Sequence, residues 1–275
     1  MGWFDAVLLG LTQGLTEFLP ISSSAHLSIV GQLIGSQDPG AAFTAITQLG
    51  TEIAVLVYFR ADIVRIALAW CRSLVGRVPR DHADVRMGWL VILGSVPIVV
   101  AGLLFQDQIE TTLRNLWITV AMLAGFGLVI GWIDARARTD RTLEQLTVPH
   151  GLLFGLAQCL ALVPGVSRSG GTIAAGLAMG YTREAAARYS FLLAIPAVLG
   201  SGVYQLTQIA DDPVRPPWGP IAVATVVSFG VGYAVIAWLL RYVSTHSFRP
   251  FVIYRLALAA VVAGLLLAGV LQPRV

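Results

Sequence analysis

Six stretches of this chain, 41–59, 87–106, 116–133, 185–206, 220–240 and 251–270, are each long and apolar enough to cross a bilayer as a helix. No other feature limits the fold as much. In hydrocarbon every backbone N–H and C=O must find its partner within a helix or a closed barrel. Composition agrees with this. Of 275 residues 56% are hydrophobic and 12% charged, and the charged share is about half that of a soluble domain. Such a chain has too few polar groups to cover a water-facing surface, so lipid is its expected solvent. The expected fold is an all-α polytopic membrane protein, a single integral domain over 1–275.

Two further apolar regions, 3–36 and 149–182, are broken near their middles. The first divides around Pro20-Ile21-Ser22-Ser23-Ser24, the second around Pro164-Gly165-Val166-Ser167-Arg168-Ser169. Neither half reaches the roughly 20 residues that a crossing needs. Both regions read as re-entrant helical hairpins, the first of them in place of a cleavable leader. They also match each other: Gly10-Leu11-Thr12-Gln13 aligns with Gly155-Leu156-Ala157-Gln158, and Ser22-Ser23-Ser24 with Ser167-Arg168-Ser169, both at an offset of 145. Each copy, about 1–133 and 149–270, is a hairpin followed by three spans. Three spans reverse the side of entry, which predicts an inverted-topology repeat whose broken helices meet near mid-membrane.

Charge placement predicts orientation. All 18 basic residues are Arg. Six lie in the loop 60–86, and Arg136, Arg138, Arg141, Arg183, Arg188, Arg241, Arg249 and Arg255 fall on the same side by alternation. Arg114, Arg215 and Arg274 fall on the other. Positive loops stay in the cytoplasm, so both termini are expected on the opposite side. Trp89, Trp117, Trp132, Trp218 and Trp238 sit near predicted span ends as interfacial anchors. The Arg run marks orientation and lipid headgroups, not nucleic acid. Cys71 and Cys159 lie far apart, which excludes a disulfide framework or zinc spacing.

Ionisable groups within a membrane are costly and usually functional. Glu17, Glu52, His26 and Arg168 are the ones expected inside apolar segments, and three of the four lie in the paired hairpins. Gln13 and Glu17 are four apart, on one helix face. His26 opens the second half-helix, where it is expected to look back toward Glu17. Opposite them, Ser167-Arg168-Ser169-Gly170-Gly171-Thr172 leads into a helix. Glycines allow close backbone approach, a helix N-terminus binds anions, and Arg offers a forked phosphate contact. A phosphate group between the hairpins is therefore the expected ligand.

The stretch Gln-Gly-Leu-Thr-Glu-Phe-Leu-Pro-Ile-Ser-Ser-Ser-Ala-His at 13–26 resembles the first signature of the undecaprenyl-diphosphate phosphatases, also called bacitracin-resistance proteins. Pro-Gly-Val-Ser-Arg-Ser-Gly-Gly-Thr at 164–172 resembles their second, and Gln48-Leu49-Gly50 a smaller element. The resemblance covers nearly the whole chain. It implies hydrolysis of undecaprenyl diphosphate to undecaprenyl phosphate and inorganic phosphate on the periplasmic side, recycling the lipid carrier for cell-wall synthesis. It also implies a divalent cation, and Glu17, His26 and Arg168 as essential groups. Gln13 stands where other members often carry Glu.

Roles follow as expectations. Arg168 clamps the diphosphate with Ser167, Ser169, Gly170, Gly171 and Thr172, and Ser22, Ser24 and Gln48 complete the binding set. Glu17 with Gln13 holds Mg²⁺ or Ca²⁺ through oxygen ligands. The nucleophile is Ser23 activated by His26 in the preferred route, with direct attack by His26 or by water as alternatives. The expected partners are a polyprenyl diphosphate lipid, the membrane and a second copy in a homodimer, with no nucleic acid. A rival reading is a lipid-phosphate flippase or anion transporter, since inverted repeats with midplane polar sites are also transporter architecture.

Overall fold

The computed structural model describes residues 2–35, 40–211 and 217–274. Among these residues the chain is built from helices, with two isolated β-bridges and no strand. Five helices are long and apolar enough to cross a membrane: Ala83–Leu104 (α5), Leu116–Arg136 (α7), Arg183–Tyr204 within Arg183–Asp211 (α10), Trp218–Val243 (α11) and Arg249–Leu267 (α12). They fall within a few residues of the expected spans. The remaining expected span, 41–59, is helical as Gly40–Tyr58 (α3), but its described apolar stretch Ile46–Tyr58 is shorter than a full crossing. The five tryptophans chosen as anchors are all exposed. Arg215, counted in the charge bias, lies outside the described residues.

Both broken regions are helix–turn–helix units. The first is Trp3–Thr16 (α1) and Ser23–Leu33 (α2); the second is Val148–Gln158 (α8), a 3₁₀ turn at Cys159–Leu162, and Arg168–Ala178 (α9). Pro20 and Pro164 fall between the halves, where a missing N–H costs no helical bond. Ser23 and Ser24, expected in the turn, already belong to α2.

The stretch 60–86, expected as a loop, carries a helix, Arg60–Leu74 (α4). Ile63 and Ile66 recur at helical spacing and pack on the core, while Val64, Leu68 and Leu74 are exposed. Arg65 bridges Asp62 at 3.1 Å and Asp84 at 3.0 Å, tying α4 to α5. Six arginines interleaved through the stretch mask this apolar period in the sequence. A short helix, Gln106–Glu110 (α6), follows α5.

Helix contacts occur in matched pairs. The helix α1 lies along α11, and α8 lies along α5; α3 also packs on α11, as α10 does on α5. Gly10 and Gly155, 145 residues apart, make these approaches close. A Cβ on Gly10 would fall within 3.0 Å of the Ala224 carbonyl oxygen, and one on Gly155 within 3.0 Å of the Gly94 oxygen. Small residues at such crossings let helix backbones touch in lipid. A serine joins each α3/α11 and α10/α5 pair: Ser228 Oγ donates to the Thr47 carbonyl at 2.7 Å and Ser95 Oγ to the Leu193 carbonyl at 3.1 Å. The main core lies among α3, α9, α10 and α11. There Phe18 of the first turn meets Phe191 edge-on with centroids 5.2 Å apart.

Arg255 corrects the charge reading. Alternation places it with the cytoplasmic-side arginines, yet it is wholly buried on α12. Its guanidinium donates to five main-chain carbonyls: Pro20, Gly165, Val166, Met122 and Leu123, at 2.7–3.2 Å. Those oxygens belong to both hairpin turns and to α7. Asp134 is likewise buried, paired with Arg183 at 2.6 Å and accepting the Phe248 N–H.

Candidate active site

Glu17 ends α1, where Pro20 stops the helix three residues later. Its carboxylate is met by four donors from four helices. Gln13 Nε2 reaches Oε2 at 2.9 Å, Ser23 Oγ reaches Oε2 at 2.7 Å, Gln48 Nε2 reaches Oε1 at 3.2 Å, and Arg168 Nη2 reaches Oε1 at 2.6 Å. Gln13 is on α1, Ser23 on α2, Gln48 on α3 and Arg168 at the start of α9. A carboxylate this buried costs several kcal/mol unless it is paired and hydrogen-bonded. Here the second hairpin supplies the counter-charge for the first.

The turns also touch through their backbones. Ser169 Oγ donates to the Leu19 carbonyl at 3.0 Å, with Ser167 Oγ 3.4 Å from the same oxygen. The Glu17–Arg168 pair lies at the polar end of a cavity of about 560 Å³. Gln13, Ser22, Ser23, Ser24, Gln48 and Ser167 line that end. Aliphatic residues of α5 and α10, including Val99, Leu103, Ala197 and Val198, line it as well, as do Ser201 and Tyr204 of α10.

Some expected ligands stand elsewhere. Ser167 caps α9, its Oγ accepting the Gly170 N–H at 3.2 Å. The helix then turns into the core, carrying Ser169, Gly170, Gly171 and Thr172 behind the cavity wall. The Thr172 hydroxyl donates to the Arg168 carbonyl at 2.9 Å and pairs with Ser190. A Cβ on Gly171 would lie 3.1 Å from the Ala157 oxygen, so that glycine admits α8 to the helix surface. Of the second signature's expected ligands, Ser167 and Arg168 face the cavity.

His26 does not look back at Glu17. Its Nδ1 lies 2.7 Å from the Ser22 carbonyl and its Nε2 2.7 Å from the Tyr254 hydroxyl, and the two rings stack within 5° of parallel. A carbonyl only accepts, so Nδ1 carries the proton and Nε2 accepts from Tyr254. Ser23 on the same half-helix turns to Glu17 instead. The expected Ser23–His26 pairing is thus absent, because α12 captures the imidazole. Sequence reasoning missed Tyr254 and Arg255. Arg255 carried a signal only in standing just inside the apolar run 251–270, where a buried Arg is costly, and Tyr254 carried none.

A hard cation needs oxygen donors. Among the described residues no cluster of three His, Cys, Asp or Glu forms a ready cage. Gln13, however, spends its Nε2 on Glu17 and leaves Oε1 buried without a partner beside that carboxylate. One carboxylate and one orphaned amide oxygen on a cavity wall suit a cation that completes its shell with ligand oxygens and water.

A paired Arg and carboxylate among serine hydroxyls, with aliphatic residues lining the same cavity inside a helical membrane protein, suit a phosphorylated amphiphile. The chain belongs to the family described as bacitracin resistance protein BacA, whose family model matches residues 6–261. It is 65% identical to a Kineococcus radiotolerans protein named undecaprenyl-diphosphatase, over 98% of this chain and 96% of the relative. A protein of the same name from Pseudarthrobacter chlorophenolicus is 62% identical over 99% of this chain and 100% of the relative. One from Bifidobacterium adolescentis is 54% identical over 99% and 98%.

Proposed function

We propose that this chain is an undecaprenyl-diphosphatase, a membrane enzyme that hydrolyses undecaprenyl diphosphate to undecaprenyl phosphate and inorganic phosphate. The observation that carries the reading is the Glu17–Arg168 pair, formed between the two signature turns at the polar end of a cavity with an aliphatic flank. Relatives of that name, aligned over nearly their whole length, support the same reaction and lend nothing to the transporter reading.

In this reading the diphosphate enters with its charge toward the turns and its prenyl chain along α5 and α10. Arg168 exchanges Glu17 for phosphate oxygens and neutralises charge as it develops. Ser23 is the nucleophile, and the base is Glu17 rather than His26, since the Ser23 hydroxyl already donates to Glu17. Its oxygen attacks the terminal phosphorus, its proton passes to Glu17, and the bond to the bridging oxygen breaks to release undecaprenyl phosphate. Water then hydrolyses the phosphoserine and Glu17 returns the proton. His26, held by Ser22 and Tyr254, fixes the start of α2. Glu17 and the Gln13 amide oxygen would hold Mg²⁺ or Ca²⁺, which supplies charge neutralisation to the diphosphate when bound.

The topology reading goes with this. Six spans and two re-entrant hairpins form an inverted repeat over about 1–133 and 149–270, and the matched helix contacts support it. The Arg-rich face lies in the cytoplasm, and the cavity opens to the periplasm, where phosphate leaves to water. All the side chains invoked come from one chain, so the reading requires no homodimer. The test is phosphate release from undecaprenyl diphosphate by the purified protein in detergent with Mg²⁺ or Ca²⁺. Release lost in Arg168→Ala is expected; no release from the wild type overturns the reading.

A further inference from the structure

Glu52 is a buried carboxylate without a task in the reaction above. It lies on α3 four residues beyond Gln48, so the two side chains share a helix face. Gln48 is the residue whose amide reaches Glu17 at 3.2 Å. Glu52 is 1% exposed, and its Oε1 has no hydrogen-bond partner. A glutamate kept only to join helices would spend its oxygens on a neighbouring helix, because an unfilled carboxylate oxygen in the interior is costly. Arg168 shows the complementary deficit. Its Nη2 is on Glu17 at 2.6 Å, while its Nη1 is buried with no partner. Gln48, one turn before Glu52 on α3, and Arg168 meet at the same Glu17 oxygen, Oε1.

We infer that Glu52 is a positioning residue for Arg168, holding the Nη1 edge of its guanidinium when the diphosphate draws the Nη2 edge away from Glu17. The inference rests on the diphosphatase reading. A guanidinium presents separate donors in a rigid plane, so one edge can stay on a carboxylate while another takes phosphate oxygens. With Glu17 as the sole anion nearby, Arg168 would give up its full pairing to bind substrate. A second carboxylate behind Gln48 competes for the same fork and makes that exchange less costly. Glu52 is not among the residues that line the cavity, which separates it from the catalytic residues.

The test is a double-mutant cycle with farnesyl methylenediphosphonate, a non-hydrolysable probe, bound to purified protein in detergent. Glu52→Gln keeps the shape and removes the charge. It is expected to weaken binding about tenfold beside an unchanged thermal midpoint, with KM for undecaprenyl diphosphate rising by the same factor and kcat changing less. In an Arg168→Ala background the same substitution is expected to change binding by less than about twofold. Wild-type binding in Glu52→Gln, or an equal loss in both backgrounds, overturns the inference. Should Glu52→Gln not fold, Glu52→Asp is read in the same cycle: coupling to Arg168 supports the role and additivity overturns it. A wild type that binds no probe, or an Arg168→Ala that binds it fully, fails the diphosphatase reading itself.

Discussion

Ser22 and Ser167 are the two non-glycine residues with positive φ among the described residues, at 73° and 76°, and they stand 145 positions apart. Each immediately precedes the second half-helix of its hairpin. Each also faces the serine two residues on, Ser22 with Ser24 at 3.2 Å and Ser167 with Ser169 at 3.0 Å. The residue between them, Ser23 in one hairpin and Arg168 in the other, reaches Glu17. Both turns thus use one strained geometry to aim their middle residue at a shared carboxylate. Such strain costs of order 1–3 kcal/mol per residue and tends to gather at active sites. Ser22→Gly is expected to raise stability by about 1 kcal/mol while lowering kcat, since glycine relieves the strain and frees the turn. Thermal unfolding and turnover measured on one preparation check both; a rise in kcat would count against the turn's aiming role.

Removing one partner of a buried ion pair leaves the other exposed to a poor solvent, at about 3–5 kcal/mol. Arg168→Ala and Glu17→Ala should each cut turnover by at least about 10³-fold. Arg168→Lys should recover little, because it keeps charge and loses the fork. Phosphate release from undecaprenyl diphosphate measures all three, and near-native rates in Arg168→Lys would remove the forked contact from the account.

The geometry around Ser23 separates it from His26. Ser23→Ala should abolish turnover, and terminally ³²P-labelled substrate, rapidly quenched, should label the wild type and not this variant. Tyr254→Phe removes the O–H that His26 accepts and should reduce kcat by about tenfold or less. If quenching never traps label on the protein while turnover proceeds, water attack replaces the serine route.

Legibility followed the physics of lipid. Apolar length located α5, α7, α10, α11 and α12, and the broken runs located both hairpins, because hydrocarbon leaves an unfolded segment no alternative. Glu17 and Arg168 stood out for the same reason, as charges with nowhere cheap to go. What the chain did not disclose was direction within a helix. His26 and Ser23 are three residues apart, yet a partner from α12, more than 200 residues on, draws one away from the other. Arg255 was misread because it lies near a span end, where an arginine usually reaches out to headgroups; its five carbonyl partners come from turns whose path no local pattern specifies.

Arg255→Ala should therefore act on stability first. The Pro20, Gly165 and Val166 carbonyls of the two turns lose their donor, each a group that costs about 1–3 kcal/mol when left unpaired in the interior, while Met122 and Leu123 keep their helical partners. A fall in thermal midpoint of roughly 10 °C or more in detergent is expected. A variant as stable as wild type would mean that the turns hold themselves.

Gly102 and Gly200 both line the cavity, and a Cβ on either would meet nothing within 4 Å. Leucine at either position should fold normally, since it favours helix over glycine, while filling the space assigned to the prenyl chain. Gly200→Leu is expected to raise KM for undecaprenyl diphosphate about tenfold and leave farnesyl diphosphate hydrolysis nearly unchanged. Equal effects on both substrates would place the chain along another path.

The crossing of α1 with α11 and of α8 with α5 bears on how the molecule is made. The hairpin at 3–33 rests on a helix that leaves the ribosome some two hundred residues later, so it is made well before its seat. Its Glu17 meanwhile lacks the arginine that will neutralise it. Neither half of the chain holds the seat of its own first hairpin helix, since α1 packs on α11 and α8 on α5. Synthesis and catalysis therefore share one event, the arrival of the second hairpin against the first.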